Sequence, residues 1–68
     1  MASKSVTVTR KGKRFQLSFS ALPGRTFGPF DLPEAVRDLM VSADLLPRVA
    51  RDLVLDAHTN GAASCDYD

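Results

Sequence analysis

The sequence predicts an α+β domain: an antiparallel β-hairpin or three-stranded meander, followed by a two-helix hairpin packed on one sheet face, in the order β-β-(β)-α-α. Three observations carry this prediction. Residues 6–9 and 14–20 alternate apolar and polar side chains with period two, residues 32–57 carry two apolar stripes of helical period, and Gly-, Pro- and Asn-containing dipeptides punctuate the chain around them.

Val6 and Val8 alternate with Thr7 and Thr9, and Phe15, Leu17 and Phe19 alternate with Arg14, Gln16, Ser18 and Ser20. These residue types suit a pleated, half-buried surface. A two-residue turn at Lys11-Gly12 would pair Val8 with Phe15 and Val6 with Leu17 on an apolar face. The same register pairs Thr9 with Arg14 and Thr7 with Gln16 on a polar face, and a one-residue slip would destroy that match. Leu22-Pro23-Gly24-Arg25 has the Pro and Gly of a type II turn. A third strand from Arg25 to about Phe30 follows from it. A tight turn would bring Phe30 beside Leu17 and send Phe27 to the polar face, whereas a bulge at Gly28 would bring Phe27 inward. Pro29 suits an edge or the strand's end.

Asp31-Leu32-Pro33-Glu34 has the form of a capping box, with Pro in the first turn. Leu32, Ala35, Val36, Leu39, Met40 and Ala43 then form one stripe of a helix ending near Ser42. A second stripe runs through Leu46, Val49, Ala50, Leu53, Val54 and Ala57, with Asp44 or Leu46 at the cap and Pro47 in the first turn. Asn60-Gly61 supplies the stop. Residues 1–61 are thus read as one small domain, and residues 62–68 as a flexible acidic tail. Leu45 and Leu55 lie off the second stripe, either beneath the loop or in a contact with another chain, which leaves a homodimer open.

At 68 residues the chain holds one domain and has no room for a barrel or a multi-layer nucleotide-binding fold. One Cys and one His build neither an internal disulfide nor an all-protein zinc site. There is no apolar run of about 18 residues to span a bilayer and no signal-peptide pattern, so no membrane partner and a cytoplasmic location are expected. His58 stands in a helix's last turn, where a cation suits the dipole. Cys65 has acidic neighbours that disfavour a thiolate. Asp52 and Asp56 lie among Arg48 and Arg51, and Asp44–Arg48 and Arg48–Asp52 are ordinary i,i+4 pairs. The glycines form no phosphate-binding pattern. No catalytic residue, cofactor or metal ligand is assigned, and no enzyme is expected.

The net charge of +1 conceals two poles. Residues 1–30 carry Lys4, Arg10, Lys11, Lys13, Arg14 and Arg25 and no acid, while residues 31–68 carry all eight acids and three Arg. Acids near helix starts follow from capping, but the basic excess of the sheet half does not. The expected contact residues are Arg10, Lys11, Lys13, Arg14, Gln16 and Arg25. The partner they suggest first is a larger protein, which the chain would regulate or inhibit stoichiometrically by docking through its basic hairpin or its acidic helical face.

The segment Gly24-Arg25-Thr26-Phe27-Gly28-Pro29-Phe30-Asp31-Leu32-Pro33-Glu34-Ala35, with its G-x-F-D-x-x-E-A pattern, also resembles the last strand and helix start of three-stranded-sheet-plus-helix modules. These are the AP2 domains of plants and the arm-binding domains of tyrosine recombinases, and the resemblance covers residues 5–42. It implies a sheet inserted in the DNA major groove, with the six residues just named contacting phosphates and base edges. Against this, the sheet lacks their aromatic and Arg-rich reading surface, and the second helix is acidic. In size and style, Phe27-Gly28-Pro29-Phe30 before a capped helix also resembles small phage and prophage accessory proteins, which bind host machinery.

Overall fold

The computed structural model describes residues 4–67. The chain runs β1 (Lys4–Lys11), β2 (Arg14–Phe19), β3 (Thr26–Phe30), α1 (Leu32–Ser42), α2 (Pro47–Asn60) and β4 (Ala62–Tyr67). All four strands join one antiparallel sheet in the order β3-β2-β1-β4. The architecture is α+β, with order β-β-β-α-α-β rather than one ending in helices.

The first hairpin forms with a register two residues from the expected one. Val8 faces Leu17, Val6 faces Phe19 and Lys11 faces Arg14, so the turn is Gly12-Lys13. Gly12 has φ +66°, and Lys13 has no positive φ. Glycine in the first central position makes the II′ pattern free of steric cost, whereas Lys11 there would need a positive φ on a side-chain-bearing residue. A shift of two residues keeps every side chain on its face, so the apolar and polar faces match the sequence pattern. The Pro23-Gly24 turn closes with Arg25 N–H donating to Leu22 O at 3.2 Å, Gly24 having φ +80°.

The bulge reading of β3 holds. Leu17 pairs with Phe27 and Phe15 with Phe30, so Gly28 and Pro29 together oppose one residue of β2. Both phenylalanines thereby pack on the core. Gly28 has φ +106°, and a Cβ there would lie 2.8 Å from the Phe15 carbonyl oxygen. Gly28→Ala is therefore expected to cost about 1–3 kcal/mol, read as a lowered urea midpoint with unchanged slope.

Asp31 is the N-cap of α1, but its side chain makes no capping hydrogen bond. The carboxylate turns instead to Arg14 Nε at 3.5 Å, so the expected capping box is replaced by an ion pair across the end of the sheet. The helix still starts here because Pro33 presets its first turn and lacks only an amide that would have no helical partner. Between the helices, Asp44 takes φ +53°, a conformation that Asp tolerates without the usual glycine. Leu46 caps α2. Leu45 packs beneath the loop on the core, whereas Leu55 stays exposed.

The largest departure lies after α2. Gly61, with φ +89°, ends the helix and donates its N–H to Ala57 O at 2.8 Å. The chain then reverses into β4, which pairs with β1 through Val8–Ala63, Val6–Cys65 and Lys4–Tyr67. Residues 62–67, read from sequence as a flexible tail, are thus a strand; Asp68 lies outside the described residues. Their period-two alternation was hidden by small side chains: Ala63, Cys65 and Tyr67 turn inward, Ala62, Ser64 and Asp66 outward. Strand pairing follows because the left-handed glycine delivers the chain alongside β1, where Arg10 N–H donates to Gly61 O at 2.8 Å.

Both helices cover one sheet face, α1 over β2 and β3 and α2 over β1 and β4. The core between the layers joins Val6, Val8, Phe15, Leu17 and Phe19 to Ala35, Leu39, Ala43, Ala50, Leu53, Val54 and Ala57. The small alanines let the helices approach the sheet closely. At one end Phe19 lies edge-on to both Phe27, with centroids 5.6 Å apart, and Tyr67, at 6.4 Å, tying β3 and β4 to the middle of the sheet.

Candidate functional site

The hairpin register decides where the basic residues stand. Lys11 and Arg14 face each other at the last pair before the turn, and Arg10 and Lys13 flank them. Like charges directly opposite disfavour pairing, so this cluster is not explained by sheet stability. Gln16 lies one step down β2 on the sheet's open face, opposite Thr9. Arg25 is not part of the group: it precedes β3 at the opposite end of the sheet.

The four turn-end cations are in different states. Arg10 reaches past the strand, its Nη1 donating to His58 O at 3.0 Å, and so satisfies a terminal carbonyl of α2. Arg14 shares its charge with Asp31, but both side chains are 60% exposed, and an exposed pair contributes only about 0–1 kcal/mol. Lys11 and Lys13 are exposed and have no ion-pair partner among the described residues. The two lysines are therefore the charges free for a partner, with Arg14 available once Asp31 is displaced.

The open face beyond the turn carries Ser5, Thr7, Thr9, Gln16, Ser18, Thr26 and Ser64, with Asp66 on its β4 side. Its side chains are short and hydrogen-bonding, with no aromatic ring. The opposite pole keeps the mixture of charges the sequence shows. Arg37, Arg48 and Arg51 interrupt the acids, and the expected Asp44–Arg48 and Arg48–Asp52 pairs do not form; among the described residues the ion pair is Arg14–Asp31. The helical half thus presents a mixed surface on which six acids stand against three arginines over residues 31–60.

Sequence reasoning placed His58 at an exposed helix end, and it stands there, its ring 6.3 Å from Phe15. Among the described residues no group of His, Cys, Asp and Glu is arranged to hold a metal ion, and no helix is long and apolar enough to cross a membrane. The Cys65 thiol is pushed up in pKa, first by burial and then by the adjacent Asp66 charge. Its neutral form is favoured by folding, so that contribution is complete below the unfolded thiol's pKa and is lost as pH rises through the folded value. Cys65 is accordingly expected to react more slowly with a disulfide reagent in the folded chain than in urea, as thiolate-release absorbance would show; equal rates would contradict the burial of this strand.

The sequence missed β4 and, with it, the carboxylate it adds to the open face and the position of that face at the centre of a four-stranded sheet. Comparison with protein families, with characterised proteins and with solved structures gives no match to this chain.

Proposed function

We propose that the chain is a non-enzymatic binding protein that docks stoichiometrically on an acidic surface of a larger protein through the turn end of its β1–β2 hairpin. The observation that carries this reading is the convergence of Arg10, Lys11, Lys13 and Arg14 on one tight turn, with both lysines unpaired. A rigid hairpin offers such charges at little ordering cost, and electrostatic complementarity of this kind sets orientation and association rate. Regulation or inhibition follows if the acidic surface covered is one the larger protein needs.

A DNA-binding reading, in the manner of the three-stranded modules, has one observation in its favour. Both helices lie on the face away from the open side of the sheet, so the acids of α2 do not front a groove approached from that side. Against it stand Asp66 on the open face, the separation of Arg25 from the cluster and the short side chains that, Gln16 apart, lie between them.

Affinity capture with the wild type and with Lys11→Glu/Lys13→Glu separates the readings. Docking on protein predicts one dominant protein recovered at equal stoichiometry and lost with the double reversal, and no retardation of DNA at about 50 mM salt. DNA retardation whose strength falls steeply with salt and vanishes in the double variant would replace the protein reading with the nucleic-acid one.

A further inference from the structure

We propose that the outer edge of β4 is a self-association surface, where a second copy of this chain adds its own β4 antiparallel and joins the two sheets. The two edges of the sheet differ in kind. β3 is blunted by the Gly28-Pro29 bulge and by a proline with no amide hydrogen. β4 is less guarded: Ala62-Ala63-Ser64-Cys65-Asp66-Tyr67 contains no proline, no lysine and no bulge, and its one charge is Asp66.

The backbone parity makes this edge ready to pair. Arg10 N–H donates to Gly61 O, and the ladder continues in steps of two through Ala63, Cys65 and Tyr67. In an antiparallel ladder the alternate residues direct their amides and carbonyls the other way. Those of Ala62, Ser64 and Asp66 therefore point outward, and no strand takes them up among the described residues. A twofold axis through Ser64 sets Ser64 opposite its own copy and Ala62 opposite Asp66. That register keeps each side chain on its own face and sets no like charges opposite each other.

The helix layer fits the same occupant. His58 reaches Phe15 of β2, so its side of α2 faces the middle of the sheet. Val49, nine residues earlier and half a helical revolution away, faces past β4, with Leu46 one turn below it; they are 41% and 70% exposed. Strands lie about 4.8 Å apart. With α2 over β1 and β4, the two α2 axes would stand about 10 Å apart across the twofold, which is the distance of packed helices. Asp56, two turns after Val49, lies on the same flank, so the helix seam is mixed and the strand pairing is what holds the two copies. Because β3 is blocked, the association stops at two copies and does not propagate.

Sedimentation equilibrium under reducing conditions at up to about 1 mM chain tests this. The expected mass is twice the 7.4 kDa of the chain. Ser64→Pro removes only an outward amide, and Val49→Glu alters only an exposed helix position. Each is expected to weaken the dimer at least about tenfold with the circular dichroism spectrum unchanged. Should Ser64→Pro not fold, Val49→Glu decides alone. A wild type that stays at 7.4 kDa throughout, or a dimer as tight in the folded variants, would overturn the proposal.

Discussion

Leu17→Ala is expected to unfold much of the population in buffer. Leu17 lies fully buried at the centre of β2, between Val8 of β1 and Phe27 of β3. Replacing such a leucine removes about 2–5 kcal/mol, through lost transfer energy and the cavity left behind. A domain of this size has about 3–10 kcal/mol in total at ~0.05–0.15 kcal/mol per residue. The loss is therefore comparable with the whole stability, and neighbouring strands on both sides limit collapse into the space. Leu55→Ala, at an exposed position on α2, should change stability by less than about 0.5 kcal/mol and serves as the control. Urea titrations of the two variants give the comparison; equal midpoints would show that the core is not where these strands place it.

A chain ending at Gly61 is expected to lose its cooperative fold. If residues 62–68 were a tail, removing them would change nothing. In this fold their removal strips β1 of its outer ladder, takes Ala63, Cys65 and Tyr67 from the edge of the core and removes the ring that meets Phe19. Each backbone hydrogen bond lost to the ladder contributes about 0.5–1.5 kcal/mol net, and the aromatic pair about 0.5–1.5 kcal/mol more. Several such terms again rival the total stability. A broad, non-cooperative thermal transition is the expected result, followed by far-ultraviolet circular dichroism. A truncated chain that melts as sharply and as high as the full one would return these residues to the status of a tail.

These two cases show where the fold is legible in the sequence and where it is not. Helix positions are fixed by apolar stripes longer than any competing pattern, which is why α1 ends at Ser42 and α2 at Asn60 as their periodicity indicates. The hairpin faces are equally legible, because alternation is insensitive to a shift of two. The register itself depends on which turn position Gly12 takes, and hence on backbone sterics rather than on hydrophobic pattern. β4 lacked the usual signal: alternation of Ala, Cys and Tyr with Ala, Ser and Asp carries little hydrophobic contrast. Its strand state comes from tertiary context, a left-handed Gly61 beside an unpaired edge of β1.

The binding surface was legible as composition but not as arrangement. Arg10, Lys11, Lys13 and Arg14 are close in sequence and stay close in space. Arg25 shares their charge but is carried to the other end by one strand length. Asp31 holds the N-cap position, but its carboxylate tempers Arg14 rather than bonding the helix amides, and Arg10 is drawn into capping α2. Non-local contacts of this sort have no local sequence signature. Within the turn-end cluster they leave the two lysines unpaired among the described residues, where the lever for a charge-reversal experiment lies.

Amide hydrogen exchange on the chain alone and in complex with its captured protein partner tests the central claim most directly, since it reports which segment is covered. Added protection is expected to centre on residues 10–16, at the β1–β2 turn and the start of β2, with little change at the amides of α2. Protection confined to the helices, with the turn exchanging as in the free chain, would contradict it.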